Sequence, residues 1–376
     1  MVSFFRTMTD DRLYQIGISL IPLVGCITAR NLVAYTGGIR EVFHTSEKEL
    51  REIPGIGTVL ARNIAKSDVL KRAEKELKFI EKNQIRPLFY LDKEYPERLK
   101  ACSDAPVMLY VKGEPDLNAT KIISIVGTRS ATDYGYQMVD EMLNDLGNRN
   151  YRVMVVSGLA YGIDIRAHRA ALKNGLPTVG VLAHGLDKLY PQLHAGTARE
   201  MVNHQGGLVT DFMSGSTIDR KHFIRRNRII AGLADATLVI ESAHKGGALV
   251  TAEIANSYNR DVFAFPGRKG DAFSEGCNFL IKSNRAALIE SVADLEYIMN
   301  WEPAKGRPDA VQPRLFSDLS EDERVVITIL EEEGPLAIDI LCIKSGMPMN
   351  KVSPLLLNLE FAGLVKGLPG KVFKLL

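Results

Sequence analysis

The sequence has few cysteines, and none of them is spaced for a metal or for a disulfide framework. Neither a CxxC pair nor an HExxH motif occurs. Zinc sites and the disulfide scaffolds of small secreted proteins depend on such spacings. We therefore expect no metal, and we expect the four thiols, Cys26, Cys102, Cys277 and Cys342, to be small core residues.

Long apolar segments are also missing. The N-terminus, "MVSFFRTMTDDRLYQIG", has one early cation, Arg6, and no long apolar run after it, and no other segment approaches the length of a membrane span. We therefore expect a cytoplasmic protein that makes no membrane contact. The formal net charge is only +2, so any affinity for a polyanion must come from local basic clusters.

Signatures of two common enzyme classes are absent. No GxxxxGK[ST] motif occurs, which removes support for ATP hydrolysis by a P-loop enzyme. Ser157 follows a predicted strand but lacks the glycine two residues earlier that a nucleophile elbow needs. Asp164 and His168 lie four apart on a predicted helix, either as an acid-base pair or, more simply, as a helix-stabilising contact. We therefore expect no catalytic residue among them.

The 376 residues allow several domains. We predict a helical domain over 1–82, an α/β domain over 83–301, a linker rich in proline and charge over 302–317, and a winged helix over 318–376. In the winged helix the third helix, 350–362, carries only Lys351 as a cation, so docking or oligomerisation is favoured over base readout.

An internal repeat marks the helical domain. The segments "IPLVGCITARNL" (21–32) and "IPGIGTVLARNI" (53–64) align at an offset of 32 residues. The second has the form of a helix-hairpin-helix, whose turn and following helix offer phosphate contacts through Gly55, Gly57, Arg62 and Lys66. The alternative is a helical pair used only for packing or protein contact. The first copy lacks the glycine turn and is expected to bind phosphate poorly.

The α/β domain alternates short β-branched strands with amphipathic helices. The predicted strands are 107–111, 122–126, 153–156, 178–182, 208–211, 237–240, 262–265 and 287–289. We predict a doubly wound, mostly parallel, Rossmann-like sheet, in which ligands bind beyond the carboxyl ends of the strands.

The loop after the second of these strands departs from a dinucleotide-binding turn. After Gly127 and Thr128 it has Arg129, where a cofactor site would have a second glycine. Two other loops lie at the same predicted edge. The loop after strand 153–156 carries Ser157 and Gly158, and the loop after strand 237–240 carries Lys245-Gly246-Gly247. A long cation among small residues suits a phosphate chain that extends past the pocket.

The densest basic run is the strongest sign of a ligand. It contains Arg220, Lys221, Arg225, Arg226 and Arg228, with Phe223 among them. Guanidinium groups pair with phosphates, and an aromatic ring stacks on an unpaired base, so the run favours single-stranded nucleic acid over a duplex. The alternative is that Phe223 lies in the core and that some arginines pair with Asp219, Asp235 or Glu241.

One enzymatic interpretation remains open. The segment "KGGALVTAEIA", Lys245 to Ala255, resembles the phosphate loop of nucleotide phosphoribohydrolases, with Glu253 or Glu241 as the carboxylate at the ribose bond. The basic run and the flanking DNA-type modules oppose it. A third possibility is an interaction scaffold that binds neither ligand.

The order of loops resembles the DNA-processing protein A family, also called DprA or Smf. The motifs that carry the resemblance are "IVGTRSATDYG", "VVSGLAYGIDIRAHRAAL", "VLAHGLDKLYP", "FIRRNRIIAGLADATLVIES", "GGALVTAEIA" and "VFAFPG". The resemblance implies a non-enzymatic protein without cofactor. Such a protein binds single-stranded DNA regardless of sequence, forms a homodimer through the Rossmann domain, and loads RecA while displacing single-strand binding protein in natural transformation.

The resemblance also implies DNA-contacting residues. They are Arg129 and the basic residues around Phe223, with backbone or hydroxyl contacts from Gly127, Thr128, Ser157 and Gly158. Two positions depart from the family pattern: Ile224 stands where proline is common, and Lys245-Gly246-Gly247 stands where Ser-Gly-Ser is frequent. The second departure adds a cation to that side of the expected pocket.

Overall fold

The computed structural model describes residues 11–149, 151–302, 319–368 and 371–375. The chain divides into two compact units, Met1–Ala304 and Lys305–Leu376. The boundary predicted after residue 82 falls inside the first unit. The predicted linker, 302–317, lies outside the described residues except for Glu302.

The first unit begins with short helices. They are α1 (11–18), α2 (Cys26–Thr36), α3 (Glu41–His44), α4 (Glu47–Leu50), α5 (Thr58–Ala65) and α6 (Leu70–Lys82). Both repeat copies form a helix, a tight turn and a second helix. Leu23 and Gly55, at equivalent positions, both have a left-handed backbone, with φ of 68° and 84°. The first copy therefore places a leucine in a backbone conformation that is strained for it, whereas the second copy has glycine, which adopts this conformation without strain.

The repeated arginine has different surroundings in the two copies. Arg30 in the first copy lies over the Tyr90 ring and donates to Cys102 O at 3.4 Å. Its counterpart Arg62 is exposed on α5. The first copy thus packs against the α/β region, while the second presents its cation to solvent.

A nine-stranded sheet follows. Its strands are β1 (Arg86–Phe89), β2 (Met108–Gly113), β3 (Lys121–Val126), β4 (Val153–Ser157), β5 (Thr178–Val181), β6 (Gly207–Thr210), β7 (Ala236–Val239), β8 (Asp261–Ala264) and β9 (Ala287–Leu288). The order is β1-β2-β6-β5-β4-β3-β7-β8-β9, antiparallel at the β1-β2-β6 edge and parallel elsewhere. All eight predicted strands are confirmed within two residues; β1 was not predicted as a strand.

Helices cover both faces of this sheet. They are α7 (Glu97–Lys100), α8 (Asp133–Asn148), α9 (Ile163–Lys173), α10 (Ala195–Asn203), α11 (Arg220–Leu233), α12 (Gly247–Ser257), α13 (Glu275–Lys282) and α14 (Val292–Met299). Alternate residues of β3 enter opposite cores: Ile122 packs on one face, and Ile123 and Ile125 pack on the other. The doubly wound prediction is confirmed. The helices before β1 share a third core with the sheet through Phe89 and Tyr110.

The second unit is a small winged helix. It contains α15 (Glu321–Glu333), β10 (Leu336–Ala337), α16 (Ile338–Ser345), α17 (Met349–Phe361), β11 (Val365–Leu368) and β12 (Val372–Leu375). The strands pair in the order β10-β12-β11. Pro369 and Gly370, between β11 and β12, lie outside the described residues.

No described helix is both long and apolar enough to cross a membrane.

Candidate nucleic-acid interface

A cavity of about 620 Å³ lies where the sheet reverses its strand order, at the carboxyl ends of β3 and β7. Such switch points are where open α/β sheets bind ligands, because loops diverge there to opposite faces. The predicted residues that line it are Gly127, Thr128, Arg129, Arg220, Phe223, Arg226 and Lys245. Residues from two separate loops and from helix α11 therefore meet in one place.

Two aromatic rings and one cation define its centre. The guanidinium carbon of Arg129 lies 5.4 Å from the centroid of the Phe223 ring. Tyr190, 43 % exposed, meets the same ring edge to face, with centroids 6.0 Å apart and an interplanar angle of 69°. Phe223 is half-buried and lines the cavity. Its ring therefore does not lie in the core, which was the alternative position considered.

The turn that carries Arg129 is held on both sides. Thr128 N donates to Glu241 O at 2.8 Å, and Ile163 N donates to Thr128 O at 3.2 Å. Gly162, with φ of 72°, lies so close to the backbone of Thr128 and Arg129 that a Cβ there would collide with it. The backbone is thus fixed, while the long Arg129 side chain reaches into the cavity.

The start of α12 forms another wall. Gly246 is the N-cap residue of this eleven-residue helix and gives it no side-chain cap, so no cap side chain lies between a ligand and the first amide, that of Gly247. Gly246 and Gly247 line the cavity beside the exposed Lys245. Helix N-terminal amides with a neighbouring ammonium group suit a phosphate oxygen.

Arg226 belongs to the cavity floor and is buried. Its guanidinium donates to Gly158 O at 2.7 Å and to Val181 O, at the ends of β4 and β5. Burial lowers the pKa of Arg226 to about 10, against the opposing attraction of Asp164. Burial likewise raises the pKa of Asp164, which the positive charge of Arg226 counteracts. Arg226 therefore supports the cavity more than it offers a free charge.

Other members of the basic run point elsewhere. Arg225 and Arg228 both pair with Asp211, at 2.9 and 2.6 Å, and they line a separate cavity of about 490 Å³. Lys221 is exposed outside the first cavity's lining. Pairing of some arginines was expected, but the partner is Asp211. Helix α11 begins at Arg220, so Arg228 lies in the middle of the helix. The 3.6-residue period of the helix directs Arg228 away from the side that carries Phe223.

Ser157 and Gly158 have structural positions. Ser157 is fully buried in β4, and its hydroxyl donates to Ile125 O at 2.6 Å. Gly158 packs so closely on the Arg226 guanidinium that a Cβ would collide with it. Neither residue lines the cavity, because the strand continues one residue further before the chain turns. Their predicted direct contact with DNA does not follow from this placement.

The carboxylates of the proposed hydrolase are engaged elsewhere. Glu241 is buried and accepts hydrogen bonds from Thr132 N and Thr132 Oγ1, at 2.9 and 2.5 Å. Glu253 is exposed on α12 and pairs with Arg285 at 3.1 Å. Neither lines the cavity. The geometry gives this alternative no support.

Asp164 and His168 do not form the contact considered from their spacing. Asp164 accepts from the backbone amide of Gly158 at 3.1 Å. His168 Nδ1 lies 2.7 Å from Thr178 Oγ1, and burial lowers the pKa of His168 to about 3. Asp164 therefore reaches the loop after β4, whereas His168 reaches the first residue of β5. Among the described residues, no group of three or more His, Cys, Asp or Glu side chains is arranged for a metal.

Comparison with known proteins identifies the family. The model "DNA recombination-mediator protein A" matches residues 86–300, and the model "DprA winged helix domain" matches residues 310–371. The chain belongs to the DprA/Smf family. The resemblance inferred from the loop motifs is thereby confirmed.

Individual DprA/Smf proteins agree over most of their length. The chain is 34 % identical to Protein Smf of Escherichia coli over 289 residues, 75 % of each chain. An X-ray structure of DprA from Streptococcus pneumoniae superposes with a TM-score of 0.64 and 30 % identity, covering 77 % of this chain and 96 % of that one. The structure of Helicobacter pylori DprA, described for its single-stranded DNA binding mode, has a TM-score of 0.52 at 24 % identity, covering 58 % of this chain and 98 % of that one, and supports the fold.

Sequence reasoning missed part of the DprA cavity. Tyr190, Ile218 and Thr251 line it but were not predicted. Tyr190 follows β5 in the motif "LDKLYP", at the same sheet edge as the other loops, so its position after a strand was an available signal. Nothing in the local sequence indicates that its ring meets Phe223, since that contact joins a loop to helix α11, more than thirty residues further along the chain.

Proposed function

We propose that this chain binds single-stranded DNA, independently of base sequence, in the 620 Å³ cavity. The observation that carries the proposal is the meeting of Arg129 and Phe223 at the free N-terminus of α12. Phosphates would be held by Arg129, Arg220, Lys245, the hydroxyl of Thr128 and the amides of Gly127 and Gly247. An unpaired base would stack on Phe223 or Tyr190, a contact available to any base because each has a π face.

The family supports a further proposal about what the bound strand is for. We propose that the protein acts in the cytoplasm as a homodimer formed through the Rossmann domain and delivers the strand to RecA while displacing single-strand binding protein. The chain would act as a binding protein without cofactor or catalysis. Membership of the DprA/Smf family, matched by "DNA recombination-mediator protein A", motivates this role.

The second helix-hairpin-helix copy is proposed as a secondary phosphate contact. Gly57 is the N-cap of α5 and supplies no side-chain cap, and Gly55 forms the left-handed turn before it. Arg62 and Lys66 are both exposed. The first copy lacks this arrangement because its Arg30 is directed to Tyr90.

The winged helix is proposed to dock a protein. In α17 Lys351 pairs with Asp322 at 2.7 Å, so its cation is already engaged. Phe361, 82 % exposed, and Leu357 give the helix apolar surface.

The test is a fluorescence anisotropy titration with a labelled oligothymidine strand and with a duplex of equal length, at several salt concentrations. Single-strand binding that exceeds duplex binding and weakens steeply with salt is expected, since phosphates and unstacked bases are both contacted. Charge reversal at Arg129, Arg129→Glu, should remove most of it. Equal, weak binding to both ligands, or full binding by Arg129→Glu, contradicts the proposal. RecA filament assembly on strands covered by single-strand binding protein then tests loading.

A further inference from the structure

Helix α6, which precedes the sheet, contacts a loop that leads into the cavity. Glu76 on α6 is 2 % exposed. Its carboxylate accepts hydrogen bonds from Ser214 N at 2.8 Å and from Ser214 Oγ at 2.5 Å. Ser214 lies between β6 and α11, nine residues before Phe223. A buried acid that accepts two bonds from one loop residue fixes that loop's position.

Arg72 completes the contact from the same helix. It pairs with Glu76 at 2.9 Å, one turn away, and donates to Ser214 O at 2.5 Å. Ser214 is therefore bonded through its amide, its hydroxyl and its carbonyl. We call Arg72, Glu76 and Ser214 the α6 clamp.

The clamped loop also contacts the loop that carries Tyr190. Gly185 packs against Met213 O so closely that a Cβ would collide with it. Leu186 and Met213 both pack on the hydrophobic core of the helical region. Further along the same loop, His184 Nε2 accepts from Tyr190 N at 3.1 Å. The helical region thus holds the loop that carries Tyr190 and the loop that leads into α11, the helix that carries Phe223.

We infer that the α6 clamp is a positioning device for the single-strand cavity, with Glu76 and Arg72 as positioning residues that do not touch DNA. The inference rests on the proposed single-strand binding. Coupling of this kind travels through contiguous packed and hydrogen-bonded groups. Without the clamp, the loop before α11 samples more conformations. Ordering this loop when a strand binds then costs free energy, which weakens the affinity for DNA.

The test compares Glu76→Ala with Glu74→Ala, which removes the same charge from an exposed position on the same helix. Glu76→Ala should weaken binding of oligothymidine about tenfold and speed amide exchange over 212–219, while Glu74→Ala leaves both unchanged. Glu76→Gln, which keeps an acceptor for Ser214 N, should recover part of the affinity. Ser214→Ala combined with Glu76→Ala should add little to either change alone.

Failure of the inference and failure of the proposed function give different experimental results. Measurements are made well below the melting temperature, so that lower stability alone leaves the affinity of the folded protein unchanged. If Glu76→Ala and Glu74→Ala bind the strand equally, the inference is overturned while the proposed function stands. If the unaltered protein binds no single strand, the proposed function fails first; faster exchange over 212–219 in Glu76→Ala would then still report the clamp, without a role in binding.

Discussion

The guanidinium of Arg129 lies over the ring of Phe223, joining the turn after β3 to the first half of α11. A cation and a ring at a solvent-facing site attract each other by about 0.5 to 1 kcal/mol. That is enough to bias the direction of Arg129 toward the cavity, and little enough for a base and its phosphate to replace the contact. The pair therefore presents a cation for a phosphate and a ring for a base at one place before DNA binds.

The two rings should contribute unequally to strand binding. We expect Phe223→Leu to weaken oligothymidine binding by about 1 to 3 kcal/mol, because a stacked base loses its platform. Tyr190→Leu should cost less, since Phe223 remains, whereas Tyr190→Phe should bind like the unaltered protein. Anisotropy titration measures all three. An undiminished affinity in Phe223→Leu would show that bases do not stack there.

Arg226 should matter for stability where Arg225 does not. Arg226→Leu leaves two buried carbonyls, Gly158 O and Val181 O, without their donor and leaves Asp164 without a nearby cation. We expect a loss of about 3 kcal/mol in the free energy of unfolding. Arg225→Leu, at a side chain 55 % exposed, should cost under about 1 kcal/mol. Urea denaturation of both variants provides the comparison, and equal losses would contradict the assignment.

His168 should make the fold sensitive to acid. Its pKa is about 3 when folded, against the usual 6.5, so between these values the unfolded chain binds a proton that the folded chain excludes. Stability should therefore fall as the pH decreases below about 6.5, by up to about 1.4 kcal/mol per pH unit from this group. In His168→Gln the part of the slope that comes from this group should be lost, as measured by urea denaturation from pH 7 to pH 4.5. The raised pKa of Asp164 acts in the opposite direction in both proteins, so it largely cancels in the comparison. Parallel pH curves would be evidence against the assignment.

The second helix-hairpin-helix should appear in the salt dependence. Replacing both Arg62 and Lys66 by alanine should reduce the slope of log K against log salt by about 1.4 on long single strands, because two phosphate contacts are lost and each contributes about 0.7. Lys48→Ala, which removes one exposed cation from the neighbouring helix α4, serves as the control for a general electrostatic effect when it is compared with each single variant, Arg62→Ala and Lys66→Ala. An unchanged slope in the double variant would favour a packing or protein-binding role for this module.

Much of this protein is determined by local sequence. Short, continuous β-branched runs and glycine stops locate the sheet because each strand must bury both faces between helices, and Ile122 and Ile123 do enter opposite cores. The repeat at an offset of 32 residues locates both helix-hairpin-helix copies. The position of Arg129 after a parallel strand is sufficient to place it at the ligand-binding edge.

Tertiary structure decided how each polar group is used. Arg129 and Arg226 look alike in sequence, yet one reaches into the cavity and the other is buried against the ends of two strands. Arg225 and Arg228 turn to Asp211 because helical periodicity carries them off the face of Phe223. The Tyr190 and Phe223 pair and the α6 clamp each join segments distant in the chain. Local patterns determine elements and edges, whereas partners of buried charges depend on which distant groups the fold brings within hydrogen-bond distance.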